Sequence, residues 1–379
     1  MRVFDRLCPS GPDWDLDWDA ICERFAWVRA MAGVGQDPRH HAEGDVAEHT
    51  RLAVLALVGL PGWRACPRER QVRLFAAVLL HDVAKPDCTR VEDGHVHARG
   101  HARRGDLLAR RILWELGAPP GWREQVAALV AHHQVPLRAM DRPDLERIVL
   151  RVSLLAANDD LALLAEADAR GRVCADADAL LEQVGLFREY CAELGVLDAA
   201  WPFASDHARF MYFRTPGRDP GYAAFDDTRS VVTVMSGLPG VGKDTWLAAN
   251  RPGAPVVSLD ELRGRLGVAP TADQGPVVAA AYARARELLR AGQPFVWNAT
   301  NVSRQQRDLC VGLAASYRAR VEIVALEAPP PVVRARNSGR DAAVPQAAWE
   351  RMLGRWQAPD VTEAHAVHRI DTGMMDHFT

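Results

Sequence analysis

At 379 residues the chain exceeds one ordinary core, and 48% hydrophobic with 25% charged residues exclude a disordered chain. A formal charge of −3 excludes a globally basic nucleic-acid binder and leaves room for a local arginine-lined groove. Seven scattered cysteines without a CxxC, no apolar run long enough for a bilayer, and an acidic, Trp-rich start unlike a signal peptide set the expectation of a cytoplasmic protein without membrane partners.

In chain order, apolar residues recur at three and four over 46–60, 72–80, 107–116, 126–130, 145–164 and 180–194. No convincing alternating strand interrupts them, so residues 1–199 read as an all-α domain. Between 200 and 229 the periodicity breaks, and Pro, Gly and aromatics mix with Asp. That stretch reads as a linker or an irregular arm, its aromatics favouring an arm packed on a domain. Short apolar runs at 231–235, 255–258, 295–298 and 321–326 then alternate with helical patterns at 277–290 and 303–318. Such alternation predicts a parallel sheet with helices on both faces, an α/β domain over 230–379.

Each domain carries one dense motif. In the first, His81-Asp82 closes an apolar helix, with His49 upstream and His101, His132-His133 and Asp168 downstream. Imidazoles and carboxylates without thiolate suit Mn, Fe, Co, Ni, Cu or Zn, and an aspartate can bridge two ions. The residues leave the choice between His132 and His133 open.

In the second, Gly237, Gly240, Gly242 and Lys243 spell G-x-x-x-x-G-K directly between a strand and a helix. Glycines let backbone N–H groups wrap a phosphate, the helix N-terminus favours negative charge, and the lysine reaches the β and γ phosphates. ATP with Mg2+ is therefore the expected cofactor. Asp244 stands where Ser or Thr normally helps hold magnesium, so Asp244 itself or Thr245 takes that place. Asp260, after the second strand, either accepts a proton from an acceptor hydroxyl or caps the next helix, and Arg263 lies one helical turn on. Asn298 to Asn301 end the third strand. Arg334, Arg336 and Arg340 form either a lid over the triphosphate or an ordinary basic helix face.

Lysine usage ties the two motifs together. Of 46 basic residues only Lys85 and Lys243 are lysines, one beside His81-Asp82 and one in the glycine loop. Arginine replaces lysine wherever charge alone suffices, and a compact ammonium is retained where it must touch a phosphate oxygen.

The strings GLPGVGKDTW, SLDELR, NATN and RNSGR resemble, in order and spacing over 230–357, the bacteriophage-type 5′-OH polynucleotide kinase. That resemblance implies Lys243 on the phosphates, Asp260 as general base, Arg263 on the acceptor's 3′ phosphate, Asn301 in the substrate site, and Arg336 and Arg340 in the lid. Asp244 departs from its pattern, and Asn298 stands near the place of a carboxylate.

HHAEGDVAEHT, LLHDVAKP, GHARRG, LVAHHQVP and ADARGR resemble, over 40–172, the HD phosphohydrolase superfamily and its modules on tRNA nucleotidyltransferases and RNA end-healing enzymes. This implies His49, His81, Asp82 and Asp168 on one metal, His101 and His133 on a second, and Lys85 on substrate phosphate.

The pairing resembles the bifunctional HD–polynucleotide kinase family. It implies ATP-dependent phosphorylation of 5′-OH ends and hydrolysis of 2′,3′-cyclic, 3′ or 2′ phosphate ends with Mn, Ni, Co or Cu. The implied partners are RNA or DNA ends and, in function, a ligase. The competing expectation is a small-molecule or nucleoside kinase fused to an HD nucleotide phosphohydrolase or sensor.

Overall fold

The computed structural model describes residues 2–269, 271–340 and 343–373. The chain divides into two compact units, Met1–Trp201 and Pro202–Thr379.

The first unit is helical. Its core is built by Val46–Gly59, Arg68–Leu80, His101–Glu115, Pro120–His132 and Asn158–Arg170, which bury Leu57, Phe75, Leu79, Leu113, Leu129 and Leu164. The apolar period seen in the sequence is the stripe each helix turns inward. Gly171 allows the closest approach: a Cβ there would lie 2.6 Å from the Ala53 backbone nitrogen.

Two expectations for this unit need correction. The apolar stretch 145–164 is two helices, Leu145–Ser153 and Asn158–Arg170. Buried Asn158 marks the break, its amide donating to Val149 O at 3.1 Å and Val196 O at 2.8 Å. Nor is the unit purely α. Strands β1 (Arg90–Glu92) and β2 (His95–His97) form an antiparallel hairpin. Its turn residues Asp93 and Gly94 have φ of 51° and 76°, the backbone a two-residue Asp-Gly hairpin requires.

The second unit carries β3 (Ser230–Ser236), β4 (Val256–Ser258), β5 (Phe295–Asn298), β6 (Ala319–Glu327) and β7 (Ala366–Asp371). They form a five-stranded sheet in the order β4-β5-β3-β6-β7, every pair parallel. Central β3 is buried along almost its whole length, as a strand covered on both faces must be. Strand β7 went unrecognised in the sequence because it is a half-exposed edge, Ala-Val-His-Arg-Ile-Asp, without a clean alternation.

The stretch expected as a linker contains a helix, Asp206–Arg214, capped by Ser205, whose hydroxyl accepts from Ala208 N at 3.0 Å. Phe210 on this helix is 1% exposed and joins the sheet's core with Val232, Trp297 and Ile323. Its ring stacks on His365 with centroids 4.1 Å apart.

Candidate functional sites

Five helices of the first unit converge on one carboxylate. His49 comes from Val46–Gly59, whose first turn is fixed by Asp45 accepting from Glu48 N at 2.9 Å. His81 caps the C-terminal end of Arg68–Leu80, and Asp82 follows it. His101 opens His101–Glu115 behind left-handed Gly100, His133 caps Pro120–His132, and Asp168 lies on Asn158–Arg170. All six residues are buried.

The two oxygens of Asp82 face different partners. Oδ2 lies 3.2 Å from His81 Nε2 and 3.7 Å from His49 Nε2, while Asp168 Oδ1 is 3.1 Å from His49 Nε2. Oδ1 lies 3.2 Å from His101 Nε2 and 3.9 Å from His133 Nε2. His132, the alternative at that position, points away, its Nδ1 donating to Ala128 O at 2.8 Å.

Tautomers make the chemistry specific. His81, His101 and His133 each donate Nδ1–H to a backbone carbonyl, of Val78, Ala98 and Val130, at 2.7 to 2.8 Å. In neutral rings this leaves bare lone pairs on Nε2 aimed at the centre. Yet His81 and His49 bring Nε2 atoms within 3.3 Å, as do His101 and His133. Two lone pairs repel at that distance, so each pair holds either a shared proton or a cation between the rings. Ligands about 2.1 Å from one ion stand about 3.0–3.4 Å apart at tetrahedral or octahedral angles, which matches these spacings. Buried Asp82 Oδ1 has no hydrogen bond, a further mark of a ligand atom. The donors form two overlapping groups around Asp82, as a bridging carboxylate would share them.

Charges around the centre are strongly biased. Burial by itself would raise Asp82, but His81 and Lys85 hold its carboxyl well below the usual range. Burial likewise opposes ionisation of Asp168, and Arg172 reverses it through contacts of 2.8 and 2.9 Å. Burial, His81 and His101 push His133 down to about 3, so its ring is neutral, the form able to bind a metal. Lys85 Nζ stands 2.6 Å from Asp82 Oδ2 and 2.7 Å from Gln36 Oε1. Lys85, His101, His133 and Arg172 line a cavity of about 410 Å³, joined by Arg138 and Arg142.

Sequence reasoning passed over Glu43 and Arg172. Glu43 bonds His41 Nδ1 at 2.7 Å and lies 2.9 Å from His49 Nδ1. Its signal was its place between His41 and His49. That of Arg172 was its spacing of four from Asp168.

The second site lies at the C-terminal ends of β3, β4 and β5. Gly237, Gly240 and Gly242 have φ of 153°, 94° and 88°. A Cβ on Gly237 would meet Leu326 O at 2.6 Å, and one on Gly240 would meet Val333 O at 2.7 Å. Neither position admits a side chain. Lys243 opens the helix Lys243–Asn250, its Nζ donating to Gly237 O at 2.9 Å and Leu238 O at 3.2 Å. Burial, opposed by Asp244, lowers this lysine to about 8, so at pH 7 it remains cationic.

Asp260 is not the helix cap. Ser258 caps Leu259–Leu266, accepting from Glu261 N at 3.3 Å, and the exposed Asp260 carboxylate pairs with Arg263. Arg263 also donates through Nε to Gln274 Oε1 at 2.8 Å, which fixes its head group.

Other expected contacts carry structure. Asn301 is buried, its side-chain amide donating to Met235 O at 2.8 Å and its backbone carbonyl accepting from Ser236 Oγ at 3.0 Å, which ties the loop after β5 to β3. Arg307 is buried against Glu363 at 2.7 and 2.9 Å. Arg336 donates to Thr372 O at 3.1 Å, whereas Arg340 is exposed and lies within electrostatic reach of Lys243. Trp349 buries itself beneath the glycine loop, donating to Pro239 O at 3.3 Å.

Residues 232–359 match the AAA domain family AAA_33, and this part of the chain is an α/β domain with a parallel sheet and a glycine-rich phosphate-binding loop. Among curated proteins, the chain is 34% identical over 122 residues to a multifunctional CCA protein of Halorhodospira halophila, covering 32% of this chain and 27% of that protein. It is 37% identical over 143 residues to a CC-adding tRNA nucleotidyltransferase of Thermus thermophilus, covering 36% and 30%. The matched part of the chain thus spans less than a third of the length of these two relatives. A solved structure from Chloroflexus aurantiacus, described as a candidate kinase, overlaps 40% of this chain and 91% of its own, with 18% identity and a TM-score of 0.34.

Proposed function

We propose that the chain heals broken nucleic-acid ends, of the HD–polynucleotide kinase type. The P-loop unit would transfer the γ phosphate of ATP·Mg to a 5′-OH end. The helical unit would hydrolyse 2′,3′-cyclic, 3′ or 2′ phosphate ends at a centre holding Mn, Ni, Co or Cu. The observation that carries the reading is Asp82, its two oxygens divided between two imidazole sets, in the same chain as a phosphate-gripping loop.

In the kinase site, exposed Asp260 is free of capping duty and takes the acceptor hydroxyl's proton, and Arg263 beside it holds the acceptor's 3′ phosphate. Lys243 and Arg340 neutralise charge on the transferring group. Asn301 positions the loop beside the acceptor rather than touching it through its committed amide nitrogen.

In the hydrolase site, His49, His81, Asp82 and Asp168 form one ligand set, and His101 and His133 share Asp82 in the second. Bound divalent metal supplies a Lewis acid and lowers the pKa of water there. Lys85 and Arg172 hold phosphate oxygens at the cavity end nearest Asp82. The tRNA nucleotide-adding relatives support a nucleic-acid rather than a free-nucleotide substrate.

The decisive experiment incubates RNA bearing a 5′-OH and a 2′,3′-cyclic phosphate with ATP and each divalent metal, reading both ends. Label at the 5′ end and loss of the cyclic phosphate are expected. Label appearing only on nucleosides, with both RNA ends unchanged, would refute end healing.

A further inference from the structure

We infer that the magnesium-facing carboxylate of the phosphate-transfer site has moved from the sheet to the loop, with Asp244 supplying the charge and Asn298 holding it in place. The inference rests on the kinase reading and adds the residues that carry its metal.

In P-loop nucleotide enzymes the ion beside the β and γ phosphates is held by a loop Ser or Thr hydroxyl and by an aspartate from elsewhere in the site. Here the residue after Lys243 is Asp244, and the residue ending β5 is Asn298. Because β5 pairs directly with β3, which feeds the loop, the two side chains meet. Asn298 Nδ2 donates to Asp244 Oδ1 at 2.8 Å. A carboxylate only accepts, so the amide nitrogen must face it.

The loop and the end of β5 therefore hold one carboxylate and one neutral polar group, with the carboxylate on the loop, in addition to Asp260 after β4. Asp244 Oδ2 has no hydrogen bond among the described residues, and the side chain is exposed beside Lys243. A hard cation takes oxygen ligands, which Asp244 offers and the NH2 of Asn298 does not. Asn298 is then a positioning residue. Helix-dipole compensation alone would explain an acidic residue in the first turn, but not a strand-end amide reaching across to orient it.

The test measures binding of a fluorescent, non-hydrolysable ATP analogue with Mn2+ and with EDTA, without an acceptor. Asp244→Ser should lose roughly tenfold or more of the Mn2+-dependent gain. Its binding in EDTA should hold or tighten, because a negative charge beside the triphosphate is gone. Asn298→Ala should lose part of the gain, and Thr245→Val none. Adding Asn298→Asp to Asp244→Ser should restore the gain.

An undiminished gain in Asp244→Ser or Asn298→Ala, loss in Thr245→Val instead, or no recovery in the double variant would each overturn the inference. A wild-type protein that binds no analogue in either condition would instead sink the kinase reading itself.

Discussion

Lys243→Ala removes the ammonium that the glycine loop presents, and should lower 5′-end labelling by on the order of 10²–10³-fold. Phosphate release from a 3′-phosphate oligonucleotide should continue unchanged, since none of its proposed residues lies in that loop. Asp82→Asn is the reciprocal lesion. It keeps the side chain's size but removes the charge shared by two histidine pairs. After loading with Mn2+, the variant should retain at most a small fraction of the wild-type metal by elemental analysis, with 5′ labelling intact. Full metal content in this variant would refute a bridging role. Of these residues, the sequence exposed identity and spacing. Whether Asp260 caps a helix was not legible, because Ser258 two residues earlier competes for the same N–H groups.

Close helix packing positions these residues, and small backbone changes should therefore reach the sites. Gly171→Ala places a methyl 2.6 Å from the Ala53 backbone nitrogen. The helix bearing Asp168 must then shift from the one bearing His49, at a cost of about 1–3 kcal/mol. Thermal unfolding of the helical unit should start lower and Mn2+ affinity should fall; an unchanged affinity would show that the shift is absorbed before it reaches Asp168. Helix Val46–Gly59 was plain in the sequence because its period and Asp45 cap agree. Hairpin β1–β2 was overlooked although Asp93-Gly94 signals its turn, since three-residue strands are too short for alternation to show.

At the scale of the whole molecule, two compact units with separate cores predict separable responses. Burial, with Arg320 and His207 nearby, lowers His365 in the second unit from 6.5 to about 4, and its ring accepts from Val321 N at 3.0 Å. Between those values the unfolded chain takes up a proton that the folded state refuses. Stability of that unit should therefore be full above pH 6.5 and fall as pH drops towards 4. Urea midpoints followed by tryptophan fluorescence should show this slope, and His365→Phe, which keeps the stack on Phe210, should flatten it. The sequence by itself determined the helical and α/β halves, the glycine loop and the His/Asp set, because periodicity and motif chemistry are local properties. Only the tertiary structure decided that Asp82 divides its oxygens between two imidazole pairs, that Asn301 and Arg336 are tied to backbone, and that Asp244 meets Asn298. Those facts depend on which strand ends and helix ends lie side by side, and neighbours 54 residues apart leave no local pattern.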